Sequence, residues 1–138
     1  MDKSQVVTAF NAHFLEFVDD ILRVFPNNPE IKQVRKTISK GLILLPKILI
    51  KLFKEHVVEI YRTQIESGDI TFFVDNDYKN DVIRLGYSDQ AQSILETIDC
   101  LRSPVREMEP SNQANVIKYM QNLTKLSDMY KSSSQTTH

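Results

Sequence analysis

The stretch from Leu45 to Ile65 constrains the fold of this chain most, because as a helix it would be apolar around more than half of its circumference. Successive residues of a helix are about 100° apart, which places most of the charged residues of this stretch on one sector. The residues of this sector are Lys47, Lys51, Lys54, Glu55, Val58 and Arg62. Pro46 suits the first turn, where its missing N–H needs no partner, and Gly68 suits the left-handed position after the last turn. We expect a central helix over about 45–66, covered by neighbouring helices on two or three sides.

The same stretch permits a second interpretation. Its polar sector carries lysines opposite Ile, Leu and Phe side chains, and a helix of that kind can lie flat on an anionic membrane surface. A core helix with solvated lysines is the simpler interpretation, because the segments outside it are also amphipathic and need a packing partner.

The first of the flanking helices is predicted over residues 4–25, with Ser4 as its N-cap and Pro26 as its end. Its apolar residues recur at steps of three and four, the pattern of a helix that packs along another helix. These residues are Val7, Phe10, Phe14, Phe17, Ile21 and Val24. They are expected to form one side of the core.

Three more helices are predicted from their caps. Asn28 and Pro29 suit the N-cap and first residue of a helix that Gly41 would close. Ser88 would cap a helix that stops before Pro104, and Ser111 would cap a last helix reaching about Tyr130. In the sequence, one of these helices precedes the central helix and two follow it.

Residues 68–87 are predicted to be an irregular segment. The apolar residues of 70–74 suit a short strand or one helical turn, and the Asp and Asn residues that follow are typical of turns and helix caps. The fold class is therefore all-α: a five-helix single-domain bundle over residues 1–131, followed by a flexible tail over 132–138.

The charge of the chain is unevenly distributed. The formal net charge is −1, but seven basic residues and no acidic residue lie between positions 32 and 54, which leaves −8 for the rest. Such a division favours contact with an acidic partner or between copies of the chain. We call these seven residues the basic surface: Lys32, Arg35, Lys36, Lys40, Lys47, Lys51 and Lys54.

No catalytic, cofactor or metal site is predicted. Cys100 is expected to be a buried, inert thiol, because it lies among apolar residues. His13 and Glu16, and likewise His56 and Glu59, are spaced to share a helix face, but metal-binding bundles place the Glu before the His. The calcium-like spacing at 75–79 lacks the glycine and the final glutamate of such a loop, so a capping cluster is the better interpretation there.

Two parts of the sequence are similar to known proteins. The segments Phe10–Pro26 and Tyr61–Phe73, with Tyr78, Asn80 and Asp81, resemble small uncharacterised proteins of large double-stranded DNA viruses that infect algae and other protists. The resemblance covers roughly half of the chain and brings no catalytic residues. It implies a viral origin, synthesis in the host cell and a place in the virion.

These observations predict a protein that acts by binding and is not an enzyme. Our hypothesis is a viral structural or assembly protein, such as a minor capsid component, found in the virion and in the host cytoplasm and contacting other viral structural proteins. Nucleic acid bound by the basic surface, or an anionic membrane surface, are the alternative partners. Whether the chain self-associates is left open.

Overall fold

The structure is a computed structural model that describes residues 2–74, 96 and 99–136, without the side chains of His56, Phe72 and residues 131–136. Regular structure in these residues is helical throughout, which confirms the all-α bundle. The predicted start of a helix at Ser88 and the calcium-like spacing at 75–79 lie outside the described residues.

Helix α1 spans Lys3–Val24 and begins with a capping box. The Asp2 carboxylate accepts a hydrogen bond from the backbone N–H of Gln5 (2.8 Å), and the Gln5 side chain accepts one from the N–H of Asp2 (2.9 Å). Both donors would otherwise be unpaired at the helix start. The prediction of Ser4 as N-cap is wrong, because Ser4 already lies inside the first turn.

Helix α2 spans Pro29–Leu44, with Pro29 at its first position. The Asn28 side chain accepts hydrogen bonds from the N–H groups of Glu30 (2.9 Å) and Ile31 (3.2 Å), which confirms the predicted cap. The prediction that Gly41 closes this helix is wrong. A glycine ends a helix when it takes a left-handed conformation, and Gly41 keeps helical geometry for a further turn.

The segment predicted as one central helix consists of three parts. Helix α3 spans Ile48–Phe53, a π-helical turn spans Lys54–Val58, and helix α4 spans Glu59–Ser67. Tyr61 has non-helical angles (φ −118°, ψ 19°), and Pro46 lies in the turn before α3 instead of in its first turn. Gly68 adopts φ +80° after α4, as predicted.

The π-helical turn changes which face of the segment is buried. Ile60 follows Phe53 by seven residues, so a regular helix would point both inward, yet Ile60 is 55% exposed and Phe53 is buried. Val58 and Ile65 are fully buried instead. The unusually wide apolar arc of the sequence therefore belongs to two helical segments that bury different faces.

The remaining helices are α5 (Thr71–Val74), α6 (Arg102–Glu107) and α7 (Pro110–Thr136). The apolar run at 70–74 is thus a helical turn. Residue 99 is helical and residues 100 and 101 form a turn, so a helix does end before Pro104, as predicted. Pro104 itself lies in the first turn of the next helix, α6, where proline needs no N–H partner. Ser111 is not an N-cap, because α7 starts one residue earlier and the Glu109 carbonyl accepts from the N–H of Gln113 (3.0 Å).

Helix α1 lies at the centre of the packing. It contacts α7 most extensively, and also α2 and α3, while α7 additionally contacts the π-helical turn, α4 and α6. The core is one cluster drawn from every one of these helices. The ring of Phe10 packs edge-on against Phe53 (5.5 Å between centroids), and Phe17 packs against Tyr119 (5.6 Å).

Replacing Asp2 should destabilise the protein more than replacing Ser4. We expect Asp2→Ala to lower the free energy of unfolding by about 1 kcal/mol, because it removes the cap from α1. Ser4→Ala should change it by less than about 0.5 kcal/mol. Urea denaturation followed by circular dichroism measures both, and equal losses would contradict the assignment of the cap.

Replacing Phe10 should have a larger effect. Phe10 is fully buried between Phe14 and Phe53, so Phe10→Ala is expected to lower the free energy of unfolding by about 3–5 kcal/mol. The matched control on the same helix is Thr8→Ala, whose side chain is exposed. A loss for Phe10→Ala no larger than that of the control would contradict the central position of α1.

Candidate functional site

The seven residues of the basic surface are divided between two places in the fold. Lys32, Arg35, Lys36 and Lys40 lie on α2, Lys47 lies in the turn after it, and Lys51 and Lys54 lie on α3 and at the start of the π-helical turn. The basic surface named from the sequence therefore consists of an α2 group and an α3 group, which are joined by a corner.

Arg35 is used within the fold. Its Nε donates a hydrogen bond to Asp19 on α1 (2.7 Å), with the Arg35 side chain 32% and the Asp19 side chain 53% exposed. Solvent screens an ion pair this exposed, so it contributes little to stability. It does fix the guanidinium between α1 and α2 and removes Arg35 from the cations that face solvent.

Lys32, Lys36 and Lys40 form an exposed row on α2. Their spacing of four residues places them along one face of the helix, opposite the buried Ile31, Val34 and Ile38. Within the described part of the chain, these three ammonium groups have no ion pair with a carboxylate. Their charge is therefore directed at solvent or at a partner.

The α3 group has a different environment. Lys51 and Lys54 line a cavity of about 380 Å³ together with Lys3, Glu55, Glu59 and Tyr130. The Lys3 Nζ lies 4.8 Å from the centre of the Tyr130 ring, within the range of a cation–π contact. Two carboxylates offset much of the positive charge here, so this cavity is mixed in charge and the α2 row is the more cationic surface.

The corner between α2 and α3 carries an exposed apolar cluster that the sequence reasoning missed. Ile43 is 80% exposed, Leu44 71% and Leu45 37%. We call these three residues the apolar tip. The helical periodicity of α2 could have revealed the exposure of Ile43 and Leu44. If the helix is continued at 100° per residue, positions 41, 42 and 45 follow Ile31, Val34 and Ile38 on the inner side, and Ile43 and Leu44 fall on the outer side.

The corner is held against the rest of the protein. The backbone N–H of Leu45 donates to the carbonyl of Gly41 (2.8 Å), and that of Ile48 donates to the carbonyl of Leu45 (3.2 Å). The Asn11 side-chain amide on α1 donates to the Pro46 carbonyl (2.8 Å). These bonds fix the turn and hold the apolar tip outward.

The first His/Glu pair lies in a second cavity, of about 370 Å³. His13 Nδ1 is 3.5 Å from a carboxylate oxygen of Glu16, and the imidazole packs 5.0 Å from the ring of Tyr119. Burial raises the pKa of Tyr119, and the carboxylates of Asp20 and Glu16 raise it further. The phenol therefore stays protonated at neutral pH and cannot serve as a base there.

No group of three metal-ligating side chains occurs among the described residues. The side chain of His56 lies outside the described part of the chain, so the geometry of the His56/Glu59 pair is not compared with that of His13/Glu16. Cys100 is exposed and its Sγ donates to the Glu96 carbonyl at 3.5 Å. The prediction of a buried thiol is wrong, because the chain turns at Cys100 before α6 begins and only Leu101 points into the core.

A third cavity, of about 300 Å³, lies between α4 and α7. Arg62 donates two hydrogen bonds to the Asp128 carboxylate (2.9 and 2.7 Å) and lies 3.7 Å from Glu66. The hydrogen bonds to Asp128 raise the pKa of Arg62 above its ordinary value. The charges of Arg62 and Asp128 thus join α4 to α7. The α2–α3 corner, which carries exposed lysines and the apolar tip, is the candidate site.

No protein-family model, curated protein or solved structure matches the chain. The helices that the structure describes include none that is both long enough and apolar enough to cross a membrane.

The exposed lysines of α2 should be dispensable for folding. We expect Lys32→Gln, Lys36→Gln and Lys40→Gln each to change the free energy of unfolding by less than about 0.5 kcal/mol. On the buried side of the same helix, Ile38→Ala should cost about 2–5 kcal/mol. Urea denaturation tests the contrast, and a loss near that of Ile38→Ala in any lysine variant would show that the lysine supports the fold.

Proposed function

We propose that this protein is a non-enzymatic structural or assembly protein that acts through contacts with other proteins. The observation that supports this most is the row formed by Lys32, Lys36 and Lys40, which is exposed and lies in a region without acidic residues. Three uncompensated cations on one helix face do not stabilise the core, but they attract an acidic surface on a partner protein.

The opposite charge that such a contact needs is present on the chain itself. With +7 between positions 32 and 54 and a total of −1, the remaining residues carry −8. Exposed carboxylates outside α2 include Glu59 on α4, Glu107 on α6 and Glu109 just before α7. A copy of the protein can therefore present acidic residues to the α2 row of the next, in a head-to-tail contact.

The viral part of the proposal rests on the resemblance of Phe10–Pro26 and Tyr61–Phe73 to proteins of large double-stranded DNA viruses. On that basis the partners are other viral structural proteins, and the protein is located in the virion and, during infection, in the host cytoplasm. Co-sedimentation with purified virions supports this role, and consistent absence from them would contradict it.

Nucleic acid is a weaker candidate for the same surface. Proteins that bind single strands combine cations with aromatic side chains on which bases stack, and no aromatic residue lies between Phe25 and Phe53. Dedicated nucleic-acid binders also carry net positive charge, whereas this chain carries −1. Both observations favour an acidic protein surface.

Association should depend on salt and on the α2 row. Light scattering coupled to size exclusion is expected to give a mass above the 16.0 kDa of the monomer at low salt and the monomer mass at high salt, because salt screens exposed charges. The double variant Lys32→Glu/Lys36→Glu should be monomeric at both salt concentrations.

The matched control is Lys118→Glu/Lys125→Glu, which makes the same change in net charge at two exposed lysines of α7. It should retain the association seen at low salt. A wild-type protein that is monomeric at every salt concentration, or a control that dissociates like the α2 variant, would contradict head-to-tail contact through the α2 row.

A further inference from the structure

We propose that the apolar tip and the two lysines beside it dock the protein onto an anionic lipid surface. This goes beyond the proposed function, because it uses the corner between α2 and α3, which shares only Lys40 with the α2 row, and a different class of partner. The first step is the exposure of Ile43 and Leu44, which is the highest among the large apolar side chains that the structure describes. Single exposed apolar residues are ordinary, whereas here Ile43, Leu44 and Leu45 follow one another at a corner and all three are exposed.

The fold does not require Ile43 and Leu44 to be apolar. Both lie outside the buried face of α2, which includes Ile31, Val34 and Ile38. Hydrogen bonds to the backbone of Gly41, Leu45 and Pro46 hold the corner in place. Since these bonds do not involve the tip side chains, polar residues at 43 and 44 would satisfy the same geometry.

The composition of the tip favours a bilayer over a protein groove as its partner. The tip lies at the end of α2 and in the turn after it, and it presents aliphatic side chains without an aromatic anchor. Stable protein interfaces usually centre on Trp, Tyr or Arg residues that fill pockets. A lipid surface accepts a small aliphatic projection without a matching pocket.

The charge around the tip selects the kind of lipid. Lys40 and Lys47, both exposed, flank the tip on its two sides in sequence, and no acidic residue occurs between positions 32 and 54. Lysines beside a small apolar insertion are attracted to the negative surface of phosphatidylserine-containing membranes. The arrangement fits an anionic bilayer interface into which Ile43 and Leu44 insert while the two lysines stay at the headgroups.

The contact is peripheral. Three apolar residues at a corner reach only the interface between headgroups and acyl chains, far short of the about 20 residues that span a bilayer. Binding of this size is reversible and depends on two contributions, one apolar and one electrostatic. Removal of either should weaken it, which makes the proposal testable residue by residue.

The experiment is flotation of the purified full chain with vesicles of phosphatidylcholine alone and of equal parts phosphatidylcholine and phosphatidylserine. We expect flotation with the anionic vesicles only. The variant Ile43→Ser/Leu44→Ser should lose affinity by about a hundredfold or more, and Lys40→Gln/Lys47→Gln by about tenfold or more.

Matched controls separate these effects from general changes in the surface. Ile60→Ser removes an exposed isoleucine on α4, and Lys118→Gln/Lys125→Gln removes two exposed lysines of α7. Both control variants should float like the wild-type protein. Circular dichroism should show that every variant keeps the thermal unfolding of the wild type, because all the replaced side chains are exposed.

A direct measurement of insertion uses the absence of Trp from the chain. Leu44→Trp introduces a single indole at the tip, and Ile60→Trp introduces one on α4. With anionic vesicles, the fluorescence of the first should shift to shorter wavelength and be quenched by brominated lipids, while that of the second should not change. This outcome would place the tip in the lipid.

Three results would overturn the proposal. The first is that the protein does not float with anionic vesicles. The second is that Ile43→Ser/Leu44→Ser floats as well as the wild type, which would mean adsorption by lysines alone. The third is that another protein surface covers the tip. The last case would appear as an oligomer that this variant, and not Lys32→Glu/Lys36→Glu, converts to monomer. Because head-to-tail assembly depends on the α2 row and is measured without lipid, either proposal can fail while the other stands.

Discussion

The aromatic contacts of α1 are the interaction on which the rest of the structure depends. Phe10, Phe14 and Phe17 follow one another along the helix, and their rings meet Phe53 from the α3 side and Tyr119 from α7. Burial of large aromatic side chains contributes more apolar area per residue than any other choice. Because α1 is the shared neighbour of α2, α3 and α7, these rings determine where both ends of the α2–α3 corner can lie.

The sequence predicted those features that depend on local periodicity and chemistry. The steps of three and four along α1 identified its buried face, Asn28 and Pro29 identified the start of α2, and Gly68 identified the end of α4. The break between α3 and α4 has no such local signal, because neither Gly nor Pro occurs between Pro46 and Gly68. It arises from packing: Leu49, Phe53, Val58 and Ile65 are all buried, and one regular helix cannot turn all four toward the same neighbours. The π-helical turn resolves this conflict.

The candidate site was predicted only in part for the same reason. The count of basic residues between 32 and 54 is a property of the sequence. Their division into two groups follows from the turn at Pro46, a position that the sequence predicts to be the first turn of a helix. Because α2 continues through Gly41 to Leu44, residues 42–45 are the end of a helix and an exposed corner instead of a link between two helices. The apolar tip and the neutralising contact of Arg35 with Asp19 are both consequences of where helices end and pack, which periodicity alone does not specify.

Salt distinguishes the two kinds of contact that this surface can make. Attraction between the α2 row and an acidic surface acts through solvent and is largely screened beyond about 8 Å at physiological ionic strength. Contact through Ile43 and Leu44 has a second contribution, the removal of apolar area from water, which salt does not screen. Lys40 and Lys47 would then orient the corner toward an anionic surface, and the aliphatic side chains would hold it there after the charges are screened. A protein with both features is attracted by charge at a distance and is held by apolar contact at the surface. The binding that remains at high salt therefore measures the contribution of the tip.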